Sequence, residues 1–135
     1  MRDEQVRRYS RHILLPDVGG LGQTALLVSS ARLELRERDP DAELIAATYL
    51  AAGGVGTVIV RGASDAQVAE LAAHGPDSRV LTEPVVEPGS RDPSREVALQ
   101  PRPIWWPSAE GDATALAFWR GGIAATRWMA EIANR

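Results

Sequence analysis

Arg11 lies in the run Arg8-Tyr9-Ser10-Arg11-His12-Ile13-Leu14-Leu15-Pro16. Its guanidinium suits phosphate oxygens, because it is always charged and presents several donors in a fixed fork. A solvated helix residue is the plain alternative. Other candidates are sparse. Asp39, Asp41 and Glu43 cluster as calcium ligands do, yet the glycine and the bidentate glutamate of a calcium loop are missing. His12 and His74 each stand alone, without a cysteine or second histidine nearby, and His74 falls where it can complement a helix C-terminus. Ser10, Ser29 and Ser30 have no nearby His and Asp arrangement and no Gly-x-Ser-x-Gly elbow. Trp105 and Trp106, in Pro101-Arg102-Pro103-Ile104-Trp105-Trp106-Pro107, are candidates of another kind. Paired tryptophans on proline-rich chain suit a binding hot spot, but the preferred reading is a plug folded over the sheet face, since a three-stranded sheet otherwise leaves apolar surface wet.

Composition removes further chemistry. The chain has 135 residues, 44% hydrophobic and 24% charged, which fits one globular domain with a buried core. All 15 basic side chains are arginine, so there is no Schiff base, no phosphate-loop lysine and no lysine to accept a modifier. Cysteine is absent, which excludes disulfides, thiolate zinc sites and a thioester-forming nucleophile. A net charge of −3 argues against a nucleic-acid partner. No charged-then-apolar leader opens the chain and no apolar run approaches the ~18 to 20 residues of a membrane span, so the expectation is a cytoplasmic protein with no membrane partner.

The elements that must position these residues follow from periodicity and punctuation. Residues 4–15 read as an amphipathic helix with Arg7, Arg8 and Arg11 wet and Val6, Ile13, Leu14 and Leu15 as anchors, stopped by Pro16; a second helix covers 22–30. Leu33 and Leu35 alternate with Glu34 and Arg36 as in a strand with one wet face. Asp39-Pro40 starts a helix to about Ala52, with Leu44, Ile45, Thr48 and Ala52 on one face. Thr57-Val58-Ile59-Val60 is a buried strand. Ser64 and Gln67 form a capping box for a helix through Ala73, striped by Val68, Leu71 and Ala72, and a third strand spans Arg79 to Val86. Six of the nine prolines fall between Pro84 and Pro107, which reads as a loop. A last helix from about Asp112 to Ala133 places Leu116, Trp119, Ile123, Ala130 and Ala133 near one face, widened by Trp128 and Ile132.

The resulting fold class is α/β: a small Rossmann-like parallel sheet of about three strands covered by helices, with an N-terminal helical extension and a C-terminal helix. The single domain 1–135 divides into N-terminal helices (1–30), a β-α-β-α-β core (31–86), a proline-rich loop (87–111) and the C-terminal helix (112–135).

The opening phrase, with Gly22-Gln23 and Tyr49-Leu50-Ala51-Ala52-Gly53-Gly54-Val55-Gly56, resembles the ThiF/MoeB/HesA family, bacterial relatives of ubiquitin-activating enzymes that adenylate the C-terminus of a small carrier protein. The resemblance is strong over 7–23 and 47–60, faint over 66–86 and 113–133, and absent over 87–112. It implies a dimer in which Arg11 reaches in trans toward the partner's nucleotide phosphates. Between the two phrases the family carries Gly-x-Gly-Gly-x-Gly, and this chain has Leu33-Glu34-Leu35-Arg36-Glu37-Arg38-Asp39-Pro40-Asp41-Ala42-Glu43 instead. Acids in the first turn complement the helix dipole and oppose an incoming anion. The family's ribose-binding acid corresponds to Arg61 or Gly62.

These departures lead to the expectation of a degenerate, shortened member: a non-catalytic dimer subunit or protein-binding module with no cofactor, forming a homodimer or a heterodimer with a full-length relative. A ubiquitin-like carrier protein is a further partner. Two alternatives stand beside it: an ATP- and magnesium-dependent adenylyltransferase acting alone or with a complete partner, and a scaffolding module binding through Trp105 and Trp106.

Overall fold

A computed structural model describes residues 1–35, 40–85, 87, 89, 95–106 and 113–135. Thr57–Arg61 (β2) is the central strand, as its β-branched run dictates, and it pairs in parallel with Ser30–Glu34 (β1) on one side and Arg79–Glu83 (β3) on the other. The register aligns Ala31 with Val58 and Val80, and these three are buried on one face with Leu33 and Val60. The opposite face carries Arg32, Ile59 and Leu81, then Glu34, Arg61 and Glu83. β1 begins earlier than the alternation read over 33–36, and its first residue, Ser30, falls in the helix expected over 22–30; Leu35 lies past the strand and Arg36 outside the described residues. β1 is an edge strand whose second face is charged.

Part of the proline-rich segment packs rather than loops. Arg32 donates its N–H to Arg95 O at 2.8 Å and accepts from Val97 N at 2.9 Å, a parallel bridge along the open edge of β1. The edge supplies unpaired backbone groups, and Val97 supplies an apolar side chain that is 8% exposed. Val86, Pro107 and Asp112 lie outside the described residues.

Asp41–Ala52 (α4) joins β1 to β2, and Asp65–His74 (α5) joins β2 to β3; the two helices pack on each other, so both crossovers lie on the same face. The capping box forms as read: Gln67 N donates to Ser64 Oγ at 3.2 Å and Ser64 N to Gln67 Oε1 at 2.9 Å. Leu71 is buried, Val68 half-buried and Ala72 exposed. Asp39, the expected helix cap, lies outside the described residues, and Pro40 stands at the cap position.

The buried faces of the two long helices differ from the sequence reading. On α4 they are Ala42, Glu43, Ala46, Ala47, Leu50 and Ala51, while Leu44, Ile45 and Thr48 are half-buried and Ala52 is exposed. On Ala113–Ala133 (α6) they are Ala117, Gly121, Ala124, Ala125 and Trp128, while Leu116, Trp119, Ile123 and Ala130 are only half-buried. The cause is the close approach of α6 to α4. A Cβ at Gly121 would sit 2.5 Å from Ala42 O, so the helices meet through their smallest side chains.

At the N-terminus the predicted single helix is two, Asp3–Arg8 (α1) and Ser10–Ile13 (α2), followed by Gly19–Leu27 (α3). Val6, Leu14 and Leu15 are not anchors, since they are 42%, 81% and 51% exposed. Tyr9 is the anchor. It is 2% exposed, its ring lies against Gly54, and its hydroxyl donates to Asp77 Oδ2 at 2.8 Å. Gly54 has φ +85°, and a Cβ there would come within 2.6 Å of Tyr9 Cζ, so glycine is required on both counts. Arg8, read as solvent-facing, also pairs with Asp77 and with Glu4.

Asp77 receives Arg2 Nη2 at 3.2 Å and Gln5 Nε2 at 3.1 Å as well. Burial raises the Asp77 pKa, but the hydrogen bonds from Tyr9, Gln5 and Arg8 outweigh it and hold the carboxyl below its ordinary value. Tyr9 moves the other way, to about 12, chiefly because it is buried and then because its hydroxyl is bound to Asp77.

Candidate functional site

In open parallel sheets ligands gather beyond the carboxyl ends of the strands, where the ladder stops and the next helices begin. Here that end is a rung of charge. Glu34, Arg61 and Glu83 are register partners across the three strands. Arg61 is 2% exposed, with Nη2 2.7 Å from Glu96 Oε1 and Nε 3.9 Å from Glu83 Oε2. Arg32 Nη1 donates to the same Glu83 oxygen at 2.6 Å. Glu96 arrives from the segment that bridges β1, so the proline-rich chain closes the site.

Glu96 is the chief cause holding Arg61 above its ordinary pKa, against burial, which lowers it; Glu83 and Glu34 add to the effect. The guanidinium is thus a fixed internal cation surrounded by its own counter-ions. A pocket of about 240 Å³ beside it is lined by Leu33, Glu34, Glu43, Glu96, Val97 and Leu99.

Those residues do not fit a triphosphate with its magnesium. Phosphate binding requires unengaged amide N–H groups and net positive potential. The wall offered is three glutamates, Glu43 being 3% exposed in the first turn of α4, and Asp41 beside it is exposed. No group of three metal-ligating side chains is gathered among the described residues. Arg36 to Asp39 lie outside them.

Arg11 is not brought to this rung. It is exposed on α2 and makes no ion pair or hydrogen bond among the described residues. Its neighbour His12 has Nδ1 3.0 Å from Gln23 Oε1, and the buried Gln23 donates Nε2 to Gly53 O at 3.0 Å. Gly53 precedes β2, so α2 stands with the elements that lead into the strands, at the end opposite Arg61. His74 and Ser10 are exposed.

Trp105 and Trp106 pack on each other with ring centroids 5.8 Å apart, and both meet Trp119 of α6, at 6.1 and 6.2 Å. They form an aromatic cluster on α6 and not a sheet plug: Trp105 remains 70% exposed, and residues 95–97 occupy the sheet edge. Sequence reasoning missed Glu96 and Asp77, and it gave Trp119 only as part of the α6 stripe and not as the partner of Trp105 and Trp106. An arginine ending the apolar run Val58-Ile59-Val60 was the available signal, because a buried cation demands a carboxylate. Compared with known proteins, the chain matches no family model and no curated protein, so the resemblance rests on the residues quoted for it.

Proposed function

We propose that this chain is a non-catalytic, ThiF/MoeB-like binding module whose ligand is a protein surface and not a nucleotide. The observation that carries the reading is the Glu34–Arg61–Glu83 rung closed by Glu96, which sets the protein's own opposed charges at the strand ends, although Arg61 Nε and Nη1 make no hydrogen bond among the described residues. Exposed apolar side chains on and beside the N-terminal helices support the second half of the reading: Leu14, Leu21 and Val28 are 81%, 90% and 82% exposed. The partner is a second copy or a complete relative, to which Arg11 contributes its charge in trans.

The test combines light scattering, pull-down with a complete relative, and ATP–pyrophosphate exchange. The proposal expects an assembly whose exchange rate falls when Arg11→Ala is introduced. Exchange by this chain alone, with any carrier protein, would overturn it. The scaffolding reading is favoured by one observation, the exposure of Trp105 beside a fully exposed Ile104. It expects Trp105→Ala with Trp106→Ala to abolish partner capture while leaving the melting temperature nearly unchanged.

A further inference from the structure

A cleft of about 430 Å³ opens between the N-terminal helices and the α4–α6 pair, at the end where the strands begin and away from the charged rung. Its size falls in the range of small-molecule sites, roughly 300–1,000 Å³. The walls are mostly apolar, with Leu15, Val18 and Met129 among them, and polarity enters chiefly through His12 and Asp17.

The hydrogen-bond chain decides what these two groups offer. Gln23 Nε2 donates to Gly53 O at 3.0 Å, which leaves Gln23 Oε1 as the acceptor facing His12 Nδ1, also at 3.0 Å. Flipping the amide would set its oxygen against the Gly53 oxygen. Neutral His12 must therefore carry its proton on Nδ1, and its remaining nitrogen, Nε2, is an acceptor. Asp17 is exposed, has no ion pair among the described residues, and only accepts. The Gly53 N–H is already given to Tyr49 O at 2.8 Å. The hydroxyls of Tyr49 and Thr126 serve either way, so the fixed polar groups of the cleft are acceptors.

An occupant complementary to apolar walls and to these two fixed acceptors, His12 Nε2 and Asp17, is an apolar body with a cationic donor. We propose that this cleft binds a small apolar primary amine, its hydrocarbon against Leu15, Val18 and Met129 and its ammonium on Asp17, with His12 Nε2 as a further acceptor. An ammonium has three donors and no acceptor, so it meets both groups without leaving one unpaired. A carboxylate of the same size meets like charge at Asp17, and an alcohol brings one donor and no charge. The site does not depend on the strand-end reading and stands or falls separately.

The experiment titrates the full chain with 2-phenylethylamine, 2-phenylethanol and 3-phenylpropionate, followed by calorimetry and by NMR shifts of the cleft residues. The amine should saturate with shifts at His12, Val18 and Met129 and bind about tenfold or more tighter than the alcohol, with the acid not binding. Asp17→Asn should remove about tenfold or more of the amine affinity, whereas Asp3→Asn, which deletes an exposed carboxylate outside the cleft, should leave it unchanged. Equal binding of the three probes, no binding of the amine, or equal losses in the two variants would overturn the proposal.

Discussion

Asp77 gives the Arg8-Tyr9 phrase its physical meaning. One carboxylate, 3% exposed, collects Arg2, Gln5, Arg8 and the Tyr9 hydroxyl and ties the N-terminal arm to the turn before β3. Tyr9→Phe removes one of those donors and should cost about 1 kcal/mol in denaturant melts, while Asp77→Ala strands several and should cost on the order of 2 kcal/mol and open residues 1–15 to protease. The clamp also sets a pH window. Asp77 has a lowered pKa in the fold, so its contribution is present above the ordinary carboxylate range and is lost as pH falls through the folded value. Tyr9 is raised to about 12, so its contribution is complete below the ordinary tyrosine value and is lost as pH rises toward 12. A stability–pH curve should fall on both sides, and Tyr9→Phe should flatten the alkaline limb and also make the acid limb shallower, because the Tyr9 hydroxyl is one of the donors that lower Asp77. The motif was legible in the sequence, but its partner was not: Asp77 lies 68 residues from Tyr9, and nothing local to either residue announces the other.

At the scale of elements, the α4–α6 contact depends on small residues. Gly121→Leu would press a branched side chain into Ala42 O and Ile45, and should destabilise by about 3 kcal/mol or prevent folding, read by thermal melting against Gly122→Ala as a milder control. A Cβ at Gly122 meets only Tyr49 Cε2, at 3.7 Å, an ordinary contact. β2, the α5 capping box and the span of α4 were legible because each is written in local pattern: the β-branched run 57–60, Ser64 with Gln67, Gly53-Gly54. β1 was legible only in part, since Ser30-Ala31-Arg32-Leu33-Glu34 has no β-branched residue and its first residue falls in the helix expected over 22–30. The helix faces were not. Leu116, Trp119 and Ile123 make the more hydrophobic stripe, yet α6 buries Ala117, Gly121 and Ala124, because bulk would hold the axes apart. Trp119 instead receives Trp105 and Trp106.

For the whole molecule, the α/β class and parallel order followed from the sequence, and among the described residues no helix is long and apolar enough to cross a membrane. The strand-end chemistry was half visible. The acids at Asp39, Asp41 and Glu43 stood in the sequence; the closing of Arg61 by Glu96 did not, since Glu96 belongs to a segment with no regular pattern. That ion pair closes the strand ends. Breaking it with Glu96→Ala leaves Arg61 buried and poorly compensated, and should cost on the order of 3 kcal/mol of stability in denaturant melts. A ligand site would lose binding from this change and keep its stability. The most direct measurement is calorimetric titration of the purified full chain with ATP and magnesium. No saturable heat is expected; micromolar binding that Arg61→Ala abolishes would contradict a strand end closed by the protein's own charges.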